Sequence, residues 1–236
     1  VLFARACLLA HVPGAPHPRE TPFLIGQEAA KAAFLDGFNT GRMHHAWMLT
    51  GPRGVGKATL AWSIARFLLA TPDPDGGDMF GPPVLPTSLH IDPEHPVARR
   101  ISAGADPGLI SVTRTPNEKT GRMRDQIVVD DIRKLTGFFQ MSATDGGRRV
   151  VIIDAADDMN TQAANALLKM LEEPPERCTL LLITHQPSGL LPTIRSRCRT
   201  LRLGTLNGEQ MNSAMDQAEV KADANAAALA ELAGGS

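Results

Sequence analysis

The strongest chemical signature in the chain is the run "GPRGVGKAT" at 51–59. Gly51, Gly54, Gly56 and Lys57 sit there on the G-x-x-x-x-G-K spacing of a phosphate-binding loop. In such a loop the glycines let backbone N–H groups converge on phosphate oxygens. The lysine meets the outer phosphates, and a hydroxyl on the next residue ligates magnesium. Here that next residue is Ala58. Thr59 carries a hydroxyl one position late, about 100° further round a helix, so it does not simply substitute. Phosphate cradling survives on this reading, while magnesium placement suffers.

A second constellation repeats the message. "VVIID" (150–154) is an apolar strand ending in Asp154, an acid placed to help hold magnesium. Hydrolysing proteins of this kind follow it with a glutamate that activates water, but this chain has Ala155. Asp157 and Asp158 lie further along the turn and read as helix N-capping residues rather than catalytic ones. Both departures weaken hydrolysis, and neither touches Lys57.

The elements that must position these residues are legible as an alternation. "HAWMLTG" (45–51), "GLISVTR" (108–114), "RRVVIIDAAD" (148–157) and "CTLLLITHQP" (178–187) are near-continuous apolar runs, each entering a polar turn. They suit strands buried on both faces of a parallel sheet. Helical patterns lie between them. Residues 57–69 follow the loop directly. Residues 129–140 place Ile132, Leu135 and Phe139 on one face, and 160–172 place Ala163, Ala166, Leu167, Met170 and Leu171 on one face before "EPP" stops the helix. The alternation predicts a doubly wound α/β domain. Residues 71–107 are crowded with Pro and Gly and read as a surface excursion, helical near Pro96–Ser102, with a poorly ordered first half. Beyond Gly204, Asn207 and Gln210 have capping-box spacing, and "DANAAALAELA" reads as a further helix.

The 236 residues suffice for one large domain and a small appendage, and the net charge of −1 gives no global field for nucleic acid. Three cysteines, Cys7, Cys178 and Cys198, are far apart and odd in number, which fits a reducing compartment without a disulfide framework or a cysteine zinc site. No apolar run approaches the roughly 18 residues of a membrane span, so no membrane association is expected. "VLFARACLLA" reads as a terminal tail or short helix rather than a signal-peptide remnant. A start without Met and a finish at "AGGS" are those expected of a fragment.

Three further stretches carry a family resemblance: "LIGQEAAKAAF" (24–34), "ANALLKMLEEPPERCTLLLIT" (164–184) and "LLPTIRSRC" (190–198). Over residues 22–205 the chain resembles the clamp-loader branch of the AAA+ ATPases. Within that branch it is more similar to the delta-prime type of bacterial DNA polymerase III subunit than to the catalytic gamma/tau type, which carries the loop hydroxyl and the acid–glutamate pair. The resemblance implies an α/β AAA+ P-loop domain with a five-stranded parallel sheet flanked by helices. It would cover 21–205 after a tail at 1–20, and 206–236 would begin a small α-helical lid.

It also implies site roles. Ile25 and Gly26 would lie beside adenine, Thr184 would sense a γ-phosphate, and Arg197 of Ser196-Arg197-Cys198 would be an arginine finger reaching a neighbour's nucleotide. Arg195 and Arg199 flank the finger and match no such position. ATP or ADP would bind weakly, with magnesium poorly held. Many relatives carry a four-cysteine zinc module after the first helix. Residues 70–109 contain no cysteine, so no zinc is expected, and His90 and His95 read as solvated loop residues. The implied partners are gamma/tau and delta clamp-loader subunits and, through the complex, the sliding clamp and primed DNA in the cytoplasm. Two alternatives stay open: a working gamma/tau-like ATPase, and a P-loop module outside replication, such as a homohexameric junction remodeller or a kinase.

Overall fold

The computed structural model describes residues 17–72, 85–140 and 147–217. The first half of the Pro/Gly-rich excursion and the helix expected in "DANAAALAELA" lie largely or wholly outside these residues. Within them the chain runs α1 (Glu28–Asn39), β1 (Ala46–Thr50), α2 (Lys57–Ala70), α3 (Pro96–Ser102), β2 (Leu109–Val112), α4 (Val129–Gln140), β3 (Arg149–Asp154), α5 (Thr161–Glu172), β4 (Cys178–Thr184), α6 (Pro192–Arg195), β5 (Arg199–Arg202) and α7 (Gly208–Gln217).

The strands form one five-stranded sheet in the order β2-β3-β4-β1-β5, and every pairing is parallel. β1 and β4 are buried along their whole length, as their unbroken apolar character requires. Side chains alternate along β3. Val150 and Ile152 join Phe34, Trp47, Leu60 and Phe67 under α1 and α2, while Val151 and Ile153 join Ile132, Leu135, Leu167 and Leu171 under α4 and α5. The two cores thus lie on opposite faces of one sheet. β5 is an edge strand only four residues long, with Arg199, Thr200 and Arg202 exposed, which discourages pairing with another chain.

Local signals account for most element ends. The Asn160 side chain caps α5 by accepting the Ala163 N–H at 2.8 Å. Asn207 and Gln210 exchange the two bonds of a capping box, at 2.8 and 3.1 Å, and start α7. Three expectations are corrected. Asp157 and Asp158 cap no helix, because Asn160 already does so. On α4 the buried stripe runs through Ile132, Leu135 and Phe138, so Phe139 is only half-buried and turns to a groove shared with α5. Ala166 and Met170 line the same groove and are half-buried too. Finally, His95 caps α3 by accepting the Val97 N–H, while His90 is an exposed loop residue, as expected, and stacks on Phe23 with ring centroids 5.0 Å apart. His95 therefore has a structural role that its loop setting did not announce.

Candidate nucleotide-binding site

β1 delivers the chain to the Gly-rich loop at the C-terminal end of the sheet, between the tips of β4 and β5. This is where a doubly wound sheet places its ligands. Gly51, Gly54 and Gly56 take φ values of +147°, +82° and +90°, a region that side-chain-bearing residues seldom occupy. At Gly51 a Cβ would lie 2.3 Å from the Leu203 carbonyl oxygen, so the tight passage past β5 needs glycine for a second reason.

Lys57 opens α2 and is almost fully buried. Its Nζ donates to the Gly51 carbonyl at 2.8 Å and to the Pro52 carbonyl, so the ammonium closes the loop on itself. Burial lowers its pKa, an effect that the nearby Asp154 and Asp157 oppose. Asp154, at the tip of β3, is pushed up to about 6, above all by burial. Lys57 pulls it back, while Asp158 and Asp157 add to the rise. The lysine and the strand-end acid are therefore close enough to feel each other's charge. Ala58 is half-buried against the core, and Thr59 faces a different cavity. Neither supplies a hydroxyl on the side of Lys57 and Asp154, and Ala155 supplies no carboxylate.

That cavity, of about 600 Å³, lies beside the loop. Its lining includes Phe23, Ile25, Gly54, Gly56, Thr59 and Leu206. Ile25, expected beside the base, and two of the loop glycines thus meet in one pocket, whose lining does not include Gly26. A Cβ on Gly26, whose φ is +70°, would come within 2.8 Å of Leu206. Gln27 ties the walls together. Its amide donates to the Val55 carbonyl at 3.2 Å and to the Gly204 carbonyl at 2.7 Å, and accepts the Gly204 N–H at 3.1 Å.

Thr184 ends β4 in register with Thr50, directly beside the start of the loop. Its side chain is fully buried, and its hydroxyl has no hydrogen-bond partner among the described residues. A buried hydroxyl left unpaired is costly, and a phosphate oxygen or a water it holds would satisfy it. The tip is held by a residue that the motifs did not assign. Both Asp157 oxygens accept the His185 N–H at 3.2 Å, and one accepts the Gln186 N–H at 3.2 Å. Asp158 instead pairs with Arg114 at 3.3 Å.

Arg197 lies apart from all of this. It follows α6 and precedes β5, whose Arg199 is in register with Trp47 near the start of β1. The four residues from Trp47 to Gly51 correspond to about 13 Å along the strand. The arginine therefore sits toward the N-terminal ends of the strands, the opposite end of the sheet from its own loop. Arg199 stacks over Trp47, with its guanidinium carbon 5.1 Å from the ring centroid, and so has a packing role of its own. The arrangement around Lys57 lacks the hydroxyl that would seat a metal. Among the described residues no His/Cys/Asp/Glu group has the arrangement to hold a metal ion, and no helix is long and apolar enough to cross a membrane.

Comparison with known proteins gives the kinship. The family described as DNA polymerase III, delta subunit matches residues 26–207. The delta-prime subunit of DNA polymerase III from Pseudomonas aeruginosa is 41% identical over 154 residues, which cover 65% of this chain and 41% of that protein. The tau subunit from Escherichia coli is 31% identical over 199 residues, covering 84% of this chain and 28% of that one. The chain thus spans less than half the length of these relatives. Among solved structures, a DNA polymerase III gamma subunit-related protein from Thermotoga maritima superposes with a TM-score of 0.51 at 20% identity, covering 78% of this chain and 49% of that one. That likeness speaks to the fold alone.

Proposed function

The chain belongs to the DNA polymerase III delta-subunit family, and we propose that within it the chain works as a clamp-loader subunit of the delta-prime type. It would assemble with gamma/tau and delta subunits in the cytoplasm and support ATP-dependent loading of the sliding clamp onto primed DNA. Residues 21–205 would form its AAA+ domain, and 206–236 the start of a lid. The observation that carries this reading is an intact phosphate-loop frame around Lys57 with alanine at both positions that hydrolysis needs, Ala58 and Ala155. The 41% identity to a delta-prime subunit points the same way.

The residues divide the work. Lys57 and the loop N–H groups would bind phosphates weakly, Ile25 and Gly26 would border the base, and Thr184 would touch the outer phosphate. Asp154 lacks the hydroxyl partner with which it would share a metal, so its own site would turn over slowly or not at all. Arg197 would act on a neighbour's nucleotide. Its guanidinium keeps its charge and offers forked donors to the oxygens over which charge spreads during phosphoryl transfer. Its place at the end of the strands away from its own loop supports action in trans.

The test is co-purification with gamma/tau and delta subunits, followed by ATPase assay of the chain alone and of the assembly. A stable complex whose clamp- and DNA-stimulated hydrolysis far exceeds that of the isolated chain is expected. Failure to assemble, or robust turnover by the chain alone that Lys57→Ala abolishes, would overturn the reading in favour of a working ATPase.

A further inference from the structure

Arg197 is held by a residue that none of the motifs above assigns a role. Its Nη2 lies 3.0 Å from Glu172 Oε1, and its Nη1 donates to the Thr193 carbonyl at 3.0 Å. The same carbonyl accepts the Ser196 hydroxyl at 3.1 Å, so the turn itself is braced. Glu172 is the last residue of α5. A carboxylate there faces the negative end of the helix dipole, an unfavourable place that a cation relieves. One guanidinium is thus gripped from two elements distant in sequence. A guanidinium has five N–H donors in a plane, so those not engaged by Glu172 and Thr193 stay free for a phosphate.

We propose that Glu172 is the positioning residue of the trans-acting arginine, holding the Arg197 guanidinium in one orientation at the subunit surface so that a neighbour's nucleotide meets it ready-made. The inference rests on the reading of Arg197 as a finger. The opposing effect is that a carboxylate beside the finger also repels the phosphate it serves. Both groups are substantially exposed, so solvent screens that repulsion. Across about 7 Å in a water-like medium it costs roughly threefold in rate. An arginine freed of its anchors must instead lose its own rotamer freedom on reaching the phosphate, at a cost of up to about thirtyfold. Holding outweighs repulsion.

The experiment uses the reconstituted loader with clamp and primed DNA, and measures kcat and KM for ATP. This subunit is supplied as wild type, Glu172→Ala, Glu172→Gln, Glu172→Lys, Arg197→Ala, or the double variant Glu172→Ala with Arg197→Ala. Glu172→Ala should lower kcat three- to tenfold with little change in KM. Glu172→Gln should keep most of the rate, because an amide oxygen still accepts from Nη2, and Glu172→Lys should be slower than Glu172→Ala. The double variant should be no slower than Arg197→Ala, since Glu172 acts only through Arg197. Glu172→Ala or Glu172→Lys at or above the wild-type rate would overturn the proposal and make Glu172 a brake on the finger. A further loss on top of Arg197→Ala would also overturn it, by showing a purely structural effect. If Arg197→Ala alone were silent, the finger reading itself would fall, an outcome distinct from a silent Glu172→Ala beside a slow Arg197→Ala.

Discussion

Replacing Asp157 with Ala should destabilise the chain by about 2 kcal/mol. The carboxylate accepts the His185 N–H on both oxygens and the Gln186 N–H on one, all at 3.2 Å. A hydrogen bond to a charged group contributes about 1.5–3 kcal/mol net, so two donors set a ceiling of about 6 kcal/mol. Two features lower that figure. The distances are at the long end of the usual range, and Gln186 is exposed, so water replaces its lost acceptor. His185 is half-buried and keeps part of the desolvation cost. The remainder, about 2 kcal/mol, corresponds to roughly 4–8 °C in Tm for a chain of this size. Urea and thermal unfolding followed by circular dichroism would measure it. Asp157→Asn retains an acceptor and should lose about half as much. Asp158→Ala is the control, because it removes only a partly exposed ion pair with Arg114, worth about 1 kcal/mol or less. If Asp157→Ala unfolded no more easily than Asp158→Ala, the claim that this carboxylate holds the tip of β4 would be refuted.

Calorimetric titration with ATP should show weak binding that magnesium changes little, because Ala58 offers the metal no oxygen; sub-micromolar, strictly magnesium-dependent binding would show that another ligand replaces it. The isolated chain should hydrolyse ATP at background rate, and Ala58→Thr combined with Ala155→Glu should restore measurable turnover; robust turnover by the unmodified chain would contradict the roles assigned to both alanines. Asp154, pushed up to about 6, binds its proton more tightly folded than unfolded. Its stabilising contribution is therefore complete below about pH 4 and lost as the pH rises through 6. Asp154→Asn should accordingly raise stability at pH 7.5 by about 1–3 kcal/mol and add little below pH 4, and the reverse pH dependence in urea unfolding would contradict the assignment.

Much of the scaffold was legible because its signals are local. The helix of 129–140, the short helix Pro96–Ser102 and the capping box at Asn207 and Gln210 all match, since periodicity, Pro at a first turn and cap chemistry act within a few residues. The four strands read from apolar runs matched because parallel-sheet burial leaves such runs, whereas β5, with Leu201 its one buried residue, left none. What the pattern could not give is pairing across the sheet. Asp157 finds amides 28 and 29 positions away, Gln27 bonds Gly204, and Arg66 sends its buried guanidinium to the carbonyls of Arg19 and Thr21. Glu172 and Arg197 meet only once α5 and the turn after α6 are packed. The Phe138–Phe139 exchange has a different origin. Adjacent aromatics fit a helical stripe almost equally well, and here the Phe138 ring sits under Arg149, whose guanidinium also donates to the Phe138 carbonyl at 2.5 Å.

In the proposed role the chain would give an arginine to a neighbour rather than a hydrolytic site of its own. That role is tested most directly by the clamp- and DNA-stimulated ATPase rate of a reconstituted loader in which only this subunit carries Arg197→Ala, with assembly verified by gel filtration. Trans-acting fingers contribute on the order of 10³–10⁵ in rate at the site they serve. One silenced site among several should therefore appear as a clear partial loss of turnover in intact complexes. Arg197→Lys should rescue it poorly, since an ammonium keeps the charge and loses the fork, and Arg195→Ala and Arg199→Ala should each do less. Wild-type turnover from intact complexes carrying Arg197→Ala would contradict the account and return Arg197 to the status of a surface cation paired with Glu172.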